Sequence, residues 1–494
     1  MFGFKKVDFE PVRNHYEKIL KLEMIYEHLL WDQETCLPPK GASTRGKIVA
    51  ELLEEVNLKI KDDSFLKNFA DIDPAKLKGV DLADYNIIKT KINYSQKVPK
   101  ELLIALGEKK AEVFSAWRQA RNLESTKDYI PVLGELIALK IQEASSIREG
   151  PMTNYDALLN QYEPKANTIY VNALVRSLKP KLISVRDQAI LSQGDAPTLP
   201  SLDESIQWRI LKNMVSTMGL KDEFTRIDIT KTPFTAGYFD DVRIGAKIYP
   251  DIPLKTFQTS MHLVGTATYE HHVSRDLMFR ASGKHASNGC VHAMGYLLKF
   301  HFCQSYEFLD YLQKEIAKLS PDWHAISAEQ LQATITVVKP DLISGRSDEL
   351  NQVLHNINRF EIEKDLINGD MHVDQLEEEY SKRTIESIGL KPTTPLDGIL
   401  QDTHWAIGHF GMFSSAILGR IYAAAIYDEM RHEIEDIGDL INAGNNQIWI
   451  DHLANKFMKF GAQYSGEELI TNITGMVPNL AALNNYLDKT YLSG

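Results

Sequence analysis

The chain has 494 residues, of which 44% are hydrophobic and 25% charged, and 55 Lys and Arg against 67 Asp and Glu give a formal net charge of −12. This composition is that of a folded globular protein rather than a disordered chain. The negative charge argues against nucleic acid or an anionic membrane surface as the main partner. The three cysteines, Cys36, Cys290 and Cys303, are too few for a disulfide framework and favour a reducing, cytoplasmic location.

Apolar residues recur at helical spacing through most of the chain. A first helix precedes Pro38 and Pro39, and a second carries Ile48, Leu52 and Val56 on one face. Further helices are expected near 100–122, 126–148, 170–193, 203–218, 253–273, 288–318, 346–367, 372–386, 404–430, 447–461 and 476–491. The apolar stretch Trp405 to Tyr427 contains His409 and Arg420, so it predicts a buried core helix rather than a membrane span.

Strand-forming patterns are confined to one region of the chain. Residues 225–231 and 241–249 are rich in β-branched side chains that alternate with polar ones, and they predict a small antiparallel sheet. The segment 193–201 predicts a surface loop inside one fold rather than a domain boundary, since the other loops are short. The chain is therefore expected to be all-α apart from this sheet.

Histidine is dense on two successive predicted helices. The titratable side chains of segments 257–273 and 285–301 are His262, Glu270, His271, His272, His285, His292 and His301. This density suggests a metal centre, because imidazole is a common metal ligand. The alternative is that these are separate surface and core histidines. A P-loop, a Gly-x-Ser-x-Gly elbow and an intact His-Glu-x-x-His motif are all missing.

Two further polar segments point to a groove. On the second predicted strand, Asp241 and Arg243 either place a guanidinium fork toward a ligand carboxylate or form a surface ion pair. At the start of a very apolar helix, Gln401, Asp402 and His404 form a polar cluster, in which Asp402 also suits a helix cap. We predict that these residues belong to a substrate-binding cleft.

These segments, in this order, resemble the carboxypeptidase Taq family of zinc metallocarboxypeptidases. The resemblance runs from LLWDQETCLPPKGASTRGKIVAELL (29–53) through TPFT and DVRI (232–244) to SDELNQVLHNINRFEIEKDLINGD (347–370). It ends with GILQDTHW (398–405) and FGMFSSAILGRIYAAAIYD (410–428), and the family's Gly-x-x-Gln-Asp-x-His-Trp block matches completely. The resemblance implies an almost wholly helical fold, a small sheet beside a deep central groove, a single domain of residues 1–494 in two lobes, and a homodimer.

The zinc motif of that family is altered in this chain. Family members carry His-Glu-x-x-His on the helix that corresponds to 257–273, where two His ligands one turn apart bind zinc and the Glu activates the metal-bound water. Here His262 is the first His, Leu263 replaces the Glu and Thr266 replaces the second His. The family's third ligand, a Glu, corresponds to His292. The resemblance therefore implies His262 and His292 as metal ligands of an altered site.

Other family roles carry over incompletely. The family Arg that is thought to help hold the substrate's terminal carboxylate is absent from its aligned place, and Arg346 lies two positions away. Glu270 and His404 are the best candidates for a replacement catalytic base. A third metal ligand would have to come from Asp348, Asp402 or water. A site of two His and one carboxylate would suit iron or manganese better than zinc.

Three functions stay open on the sequence alone. The first is a protein that has lost peptide hydrolysis and binds a peptide, a protein or a small molecule in its groove, because base, ligands and carboxylate clamp are all altered. The second is a metal-dependent enzyme that uses His262 and His292 for different chemistry. The third is a carboxypeptidase that recruits other residues. One divalent metal or none is expected, and no nucleic-acid or membrane partner.

Overall fold

The computed structural model describes residues 8–492, with every side chain among them except that of Pro39. Helices form most of the chain, as the spacing of apolar residues predicts. The helices before the sheet are α1 (Glu10–Thr35), α2 (Ala42–Ile60), α3 (Asp63–Ala70), α4 (Gly79–Lys97), α5 (Lys100–Leu123), α6 (Tyr129–Ile147), α7 (Asn154–Leu159), α8 (Thr168–Ser192) and α9 (Glu204–Thr217). The segment between α8 and α9 is a loop, which agrees with the loop predicted at 193–201.

The sheet has three strands, β1 (Thr225–Ile229), β2 (Phe234–Tyr238) and β3 (Asp241–Ala246), in the order β1-β3-β2. The prediction of a purely antiparallel sheet is wrong in one pairing. β2 and β3 are antiparallel neighbours, with Tyr238 opposite Asp241, whereas β1 runs parallel to β3, with Thr225 opposite Val242. The reason is the strand that the sequence did not reveal: a tight turn pairs β2 with β3, so β1 is left with the other edge of β3.

The helices after the sheet are α10 (Pro253–His272), α11 (Asn288–Tyr296), α12 (Tyr306–Ala317), α13 (Ala328–Ile335), α14 (Glu349–Asn368), α15 (Leu376–Ile388), α16 (Thr403–Ala406), α17 (Phe413–Glu433), α18 (Ile437–Asn442), α19 (Gln447–Lys456), α20 (Gly466–Thr474) and α21 (Ala481–Tyr491). α10 packs against β2, β3 and α11, and α11 packs against α17. These contacts place α10 and α11 between the sheet and the main helical core.

Two helices that the sequence predicts as continuous are interrupted. The predicted helix 288–318 is α11, a π-helical turn (Leu297–Phe302) and α12, which starts where the Ser305 hydroxyl caps the Phe308 N–H. The predicted helix 404–430 is α16 and α17, separated by a turn in which Gly408 and Gly411 have φ of +75° and +98°. A side chain at Gly411 would meet the backbone of α7, so this close approach requires glycine.

The hydrophobic core consists of two clusters. A small cluster joins α1, α2, α3 and α4 through side chains such as Val12, Ile19 and Phe65. A much larger cluster extends through the rest of the described chain and includes buried residues of α17 such as Ile417 and Ile421. α17 is therefore the buried core helix that its apolar sequence predicts. No helix in the described part of the chain is both long and apolar enough to cross a membrane.

Candidate functional site

One face of α10 forms a wall of a groove. His262, Thr266 and Glu270 are spaced four residues apart, so they lie one above the other on this face. They line a cavity of about 760 Å³ whose other walls are β2, the start of α11 and a part of α1. The side chain next to His262, Leu263, lines the same cavity.

Two glycines allow α10 and α11 to approach closely enough to share this groove. A side chain at Gly265 would collide with the Met294 carbonyl, and a Cβ at Gly295 would lie 2.5 Å from the His262 ring. On the other side of α11, a Cβ at Gly419 of α17 would lie 2.7 Å from the Cβ of His292. The position of His292 is therefore set by glycine contacts from two helices, since the packed interior has little room to yield.

Two imidazoles face each other at the centre of the groove. The ring centroids of His262 and His292 are 5.8 Å apart, and the Tyr296 ring lies 5.0 Å from the first and 5.9 Å from the second. The Nδ1 atoms of both histidines are buried and have no hydrogen-bond partner among the described residues. A buried polar atom without a partner costs about 1–3 kcal/mol, so these two nitrogens are available to a ligand that enters the groove.

Burial keeps both imidazoles uncharged near neutral pH. Desolvation lowers the pKa of His262 well below its ordinary value of 6.5, and the charge on His292 would lower it further. Desolvation likewise lowers the pKa of His292 to about 4, with the charges of His285 and His404 acting in the same direction. Each ring therefore keeps one nitrogen lone pair that can accept a proton donor or bind a metal ion.

A second pair of titratable groups lies at the C-terminal end of α10. His285 Nδ1 is 2.5 Å from Glu270 Oε1, and both side chains line the cavity. Burial opposes protonation of His285, but the charge and hydrogen bond of Glu270 outweigh it and raise the pKa of His285. Glu270 Oε2 is buried without a partner among residues 8–492. The predicted base Glu270 is thus in the groove, where it contacts His285 rather than His262.

The predicted Asp402 cluster is a network of buried charges. Asp402 Oδ1 accepts hydrogen bonds of 2.9 Å from the backbone N–H and from Nδ1 of His404, while Oδ2 is paired with the Arg359 guanidinium. Burial disfavours the carboxylate, but these two partners hold the pKa of Asp402 well below its usual range. The cluster does not line the cavity, although His404 is near enough for its charge to act on His292.

The other predicted substrate-binding residues lie outside the central cavity. Arg243 and Asp241 pair with each other through two hydrogen bonds of 2.7 and 3.0 Å, and Asp241 also contacts His28 Nε2 at 2.6 Å. The Gln401 amide bonds the backbone of Leu342 and Ser344 and so holds the loop that contains Arg346. Arg346 is exposed and lines a neighbouring cavity of about 500 Å³.

The chain matches the model of the carboxypeptidase Taq (M32) metallopeptidase family over residues 11–491. It belongs to that family. Thermostable carboxypeptidase 1 of Thermus thermophilus is 26% identical over 478 residues, which cover 93% of this chain and 94% of that protein. Carboxypeptidase 1 of Bacillus subtilis is 27% identical over 505 residues, which cover 97% of this chain and 95% of that protein. Metallocarboxypeptidase 1 of Trypanosoma cruzi, a solved structure 23% identical, superposes with a TM-score of 0.93 over 98% of this chain and 99% of that one.

The central groove does not supply the three protein ligands of the zinc site that the M32 resemblance implies. Thr266 Oγ1 donates to the His262 carbonyl at 3.2 Å, and Leu263 has no donor atom. Of the two carboxylates considered as third ligands, Asp402 is bound by Arg359, and Asp348 caps α14 through the Asn351 N–H at 3.0 Å. Among residues 8–492, no three His, Cys, Asp or Glu side chains are grouped closely enough to hold a metal ion. The two neutral imidazoles of His262 and His292 are the ligating side chains that face each other at the centre of the groove.

The sequence did not assign roles to several residues that the structure brings to the groove and its surroundings. His285 stands out only as one of several histidines, Tyr296 lies one turn after His292, and Arg359 is 43 positions before its partner Asp402. The four-residue spacing of His292 and Tyr296 on one helical face was a signal that could have been used. The pairing of Arg359 with Asp402 has no local signal, because it depends on how α14 packs beside α16.

Proposed function

We propose that this M32 family member binds peptides in its groove and does not hydrolyse them by the family's zinc chemistry. The observation that carries the proposal is the set of side chains at the centre of the groove. Leu263 offers no proton acceptor beside His262, and the imidazole of His292 faces His262 from the opposite helix. A single buried carboxylate, Glu270, lies on the same face of α10, two turns further on and engaged with His285.

These side chains remove the two largest contributions to metal-dependent hydrolysis. A zinc ion lowers the pKa of its bound water from about 16 to about 7 and so supplies hydroxide at neutral pH. A positioned general base contributes roughly 10²–10⁴ in rate. By the family resemblance, Leu263 stands in place of that base, and Thr266 and His292 occupy two of the three ligand positions. A peptide bound here would meet neither a hydroxide nucleophile nor a base beside it.

The walls of the groove favour an extended peptide as the ligand. β2 is an edge strand, because β3 is its only paired strand within residues 8–492, and its residues Phe234–Tyr238 line the cavity. An edge strand presents backbone N–H and C=O groups that an added peptide strand can bond. The cavity of about 760 Å³ is large enough for several side chains of such a peptide.

The proposal is tested on untagged, chelator-dialysed protein with a library of fluorescein-labelled peptides. We expect some peptides to raise the fluorescence anisotropy and none to lose C-terminal residues by mass spectrometry. Thr266→Trp, which fills the groove, should abolish binding, whereas Thr393→Trp, at an exposed site outside the groove, should not. Release of C-terminal residues that disappears in Thr266→Trp would overturn the proposal, and so would a library without any binder.

A second candidate is a metal-dependent enzyme with different chemistry. It is favoured by one observation: the rings of His262 and His292 are both neutral near pH 7, and their buried Nδ1 atoms have no hydrogen-bond partner among the described residues. Such a site would need a ligand from water or substrate beyond the two imidazoles. Metal analysis by mass spectrometry, after incubation with zinc, iron and manganese, decides between the two. Stoichiometric metal that is lost in His262→Ala with His292→Ala would favour the enzyme.

We also propose a cytoplasmic homodimer built from single-domain chains. The free thiols of Cys36, Cys290 and Cys303 support a reducing compartment. The dimer and the two lobes rest on the resemblance to the family. Light scattering coupled to size-exclusion chromatography measures the oligomeric state directly, and a mass of one chain, 56.1 kDa, would contradict the dimer.

A further inference from the structure

The groove face of α10 continues beyond His262 into a second cavity. Thr259 and Lys255 lie one and two turns before His262 on the same side of the helix. Both line a cavity of about 500 Å³, together with Lys299 of the π-helical turn and Arg346. We call this the basic cavity, defined by Lys255, Lys299 and Arg346. Lys299 follows Tyr296, whose ring contacts His262, so the basic cavity adjoins the central groove.

The three cations of the basic cavity have no carboxylate partner among the described residues. Lys255 Nζ donates to the Gly345 carbonyl at 2.9 Å, and Lys299 Nζ donates to Gln352 Oε1 at 2.9 Å. Arg346 takes part in no side-chain hydrogen bond or ion pair within residues 8–492, although its charge acts on Lys255. Three unpaired cations around one cavity are unexpected in a chain whose net charge is −12.

The acidic side chains that line the same cavity are engaged elsewhere. Asp348 accepts the Asn351 and Lys339 backbone N–H groups at 3.0 Å each. Glu349 is paired with Arg420 in the core and accepts the hydroxyl groups of Tyr486 and Tyr491. Asp341 Oδ1 accepts the Ile343 N–H at 2.7 Å. Asp341 and Glu349 still act on Lys255 and Lys299 and partly offset the repulsion between the cations. Lys339 also lines the cavity, so four cations face Asp341 and Asp348, the two carboxylates without a cationic partner, and positive charge remains in excess.

The cations repel one another where they are partly desolvated. Burial lowers the pKa of Lys255, and the charge of Arg346 lowers it further. Burial lowers the pKa of Lys299 to about 8, with the charges of Arg420 and Lys255 acting in the same direction. An anionic ligand would relieve this repulsion and gain charge-assisted hydrogen bonds.

We propose that the basic cavity binds the two carboxylates of an acidic residue, Asp or Glu, at the C-terminal end of the peptide that occupies the groove. This inference rests on the proposed function and adds the class of ligand. Two carboxylates are inferred because the cations come from two walls. Lys255 and Arg346 are joined through Gly345 on one wall, and Lys299 extends from the turn after α11 on the other.

The test compares peptides that differ only in their last residue. A fluorescein-labelled peptide that binds the groove is prepared with C-terminal Glu, C-terminal Gln and C-terminal Glu amide, and dissociation constants are measured by anisotropy. We expect the Glu peptide to bind at least about 10-fold more tightly than either of the others, since each lacks one charge-assisted bond. Lys299→Gln and Lys255→Gln should each reduce this preference to less than about 3-fold.

Lys127→Gln is the matched control, because it removes the same charge from an exposed side chain outside the cavity. It should keep the full preference, and thermal unfolding establishes that all variants are folded. Equal binding of the three peptides would overturn the inference while leaving the proposed function intact. Failure of every peptide to bind would overturn both. A preference for Glu that persists in Lys299→Gln and Lys255→Gln would overturn the assignment to this cavity.

Discussion

At the centre of the groove, His262 and His292 face each other with buried Nδ1 atoms that lack partners, whereas both carboxylate oxygens of Asp402 are bonded to Arg359 and His404. The two regions lie near each other, as the effect of the His404 charge on His292 indicates. Both derive from motifs that the sequence shares with one family, in one case altered and in the other complete. The difference is that the polar groups around Asp402 satisfy one another, whereas those at the centre of the groove do not.

The physical consequence is a division of roles. A satisfied buried network such as that of Asp402 holds helices in place, and removing one member leaves an uncompensated charge. Unsatisfied imidazoles contribute nothing to stability by themselves, and their lone pairs are available to a ligand. The variants below each change a residue of one of the two regions, so the two kinds of site can be compared.

The largest effect is expected from introducing at the centre the zinc ligands that the family resemblance implies. The combined variant Leu263→Glu, Thr266→His and His292→Glu should take up about one zinc ion per chain, because it supplies two His one turn apart and a facing carboxylate. Inductively coupled plasma mass spectrometry measures the uptake, and Leu263→Glu alone is the control without added ligands. A folded triple variant that remains free of zinc would show that the side chains around the three introduced residues do not orient them for zinc binding.

A large loss of stability is expected from breaking the satisfied network. Asp402→Ala leaves the buried Arg359 guanidinium without its carboxylate, so the free energy of unfolding should fall by about 3–5 kcal/mol. The matched control is Asp241→Ala, which breaks a partly exposed pair with Arg243 and should cost less than about 1 kcal/mol. Urea denaturation measures both. Similar losses in the two variants would contradict the contrast between the regions.

A smaller effect of opposite sign is expected at the centre. In metal-free protein, His292→Leu removes a buried nitrogen that has no partner, so stability should be unchanged or rise by up to about 1 kcal/mol. His301→Leu is the control outside the groove, since both ring nitrogens of His301 are buried and unpartnered among the described residues. A clear destabilisation by His292→Leu alone would indicate that His292 has a partner, such as a metal ion, in solution.

The smallest effect concerns pH. The hydrogen bond and charge of Asp402 outweigh burial and raise the pKa of His404 above its ordinary value of 6.5. The stabilisation by protonated His404 is therefore complete below pH 6.5 and is lost as pH rises through the folded-state pKa. It should stay below about 1 kcal/mol, because 40% of the side chain is exposed. Urea denaturation of the wild type and His404→Gln across pH 5–9 measures this difference, and a gap that widens with rising pH would contradict it.

The helices were largely predictable from the sequence, because a helix is encoded by side chains three and four residues apart. The bounds of α5, α6, α8 and α9 agree with the expectation to within a few residues. The interruptions were not predictable in this way. Gly411 has a positive φ where the turn meets the backbone of α7, and Gly408 has one beside the Lys110 side chain of α5. The π-helical turn lies in the middle of an unbroken apolar pattern.

The sequence by itself determined the helical character, the place of the sheet and the family, and it singled out Leu263, Thr266 and His292 as positions of interest. Only the tertiary structure decided what each of these residues contacts. In the tertiary structure His292 faces His262, and Asp402 pairs with Arg359. Lys255, Lys299 and Arg346 line one cavity. The physical reason is that periodicity is a local property of the chain, whereas contacts between distant residues depend on how closely helices pack, here through Gly265, Gly295 and Gly419.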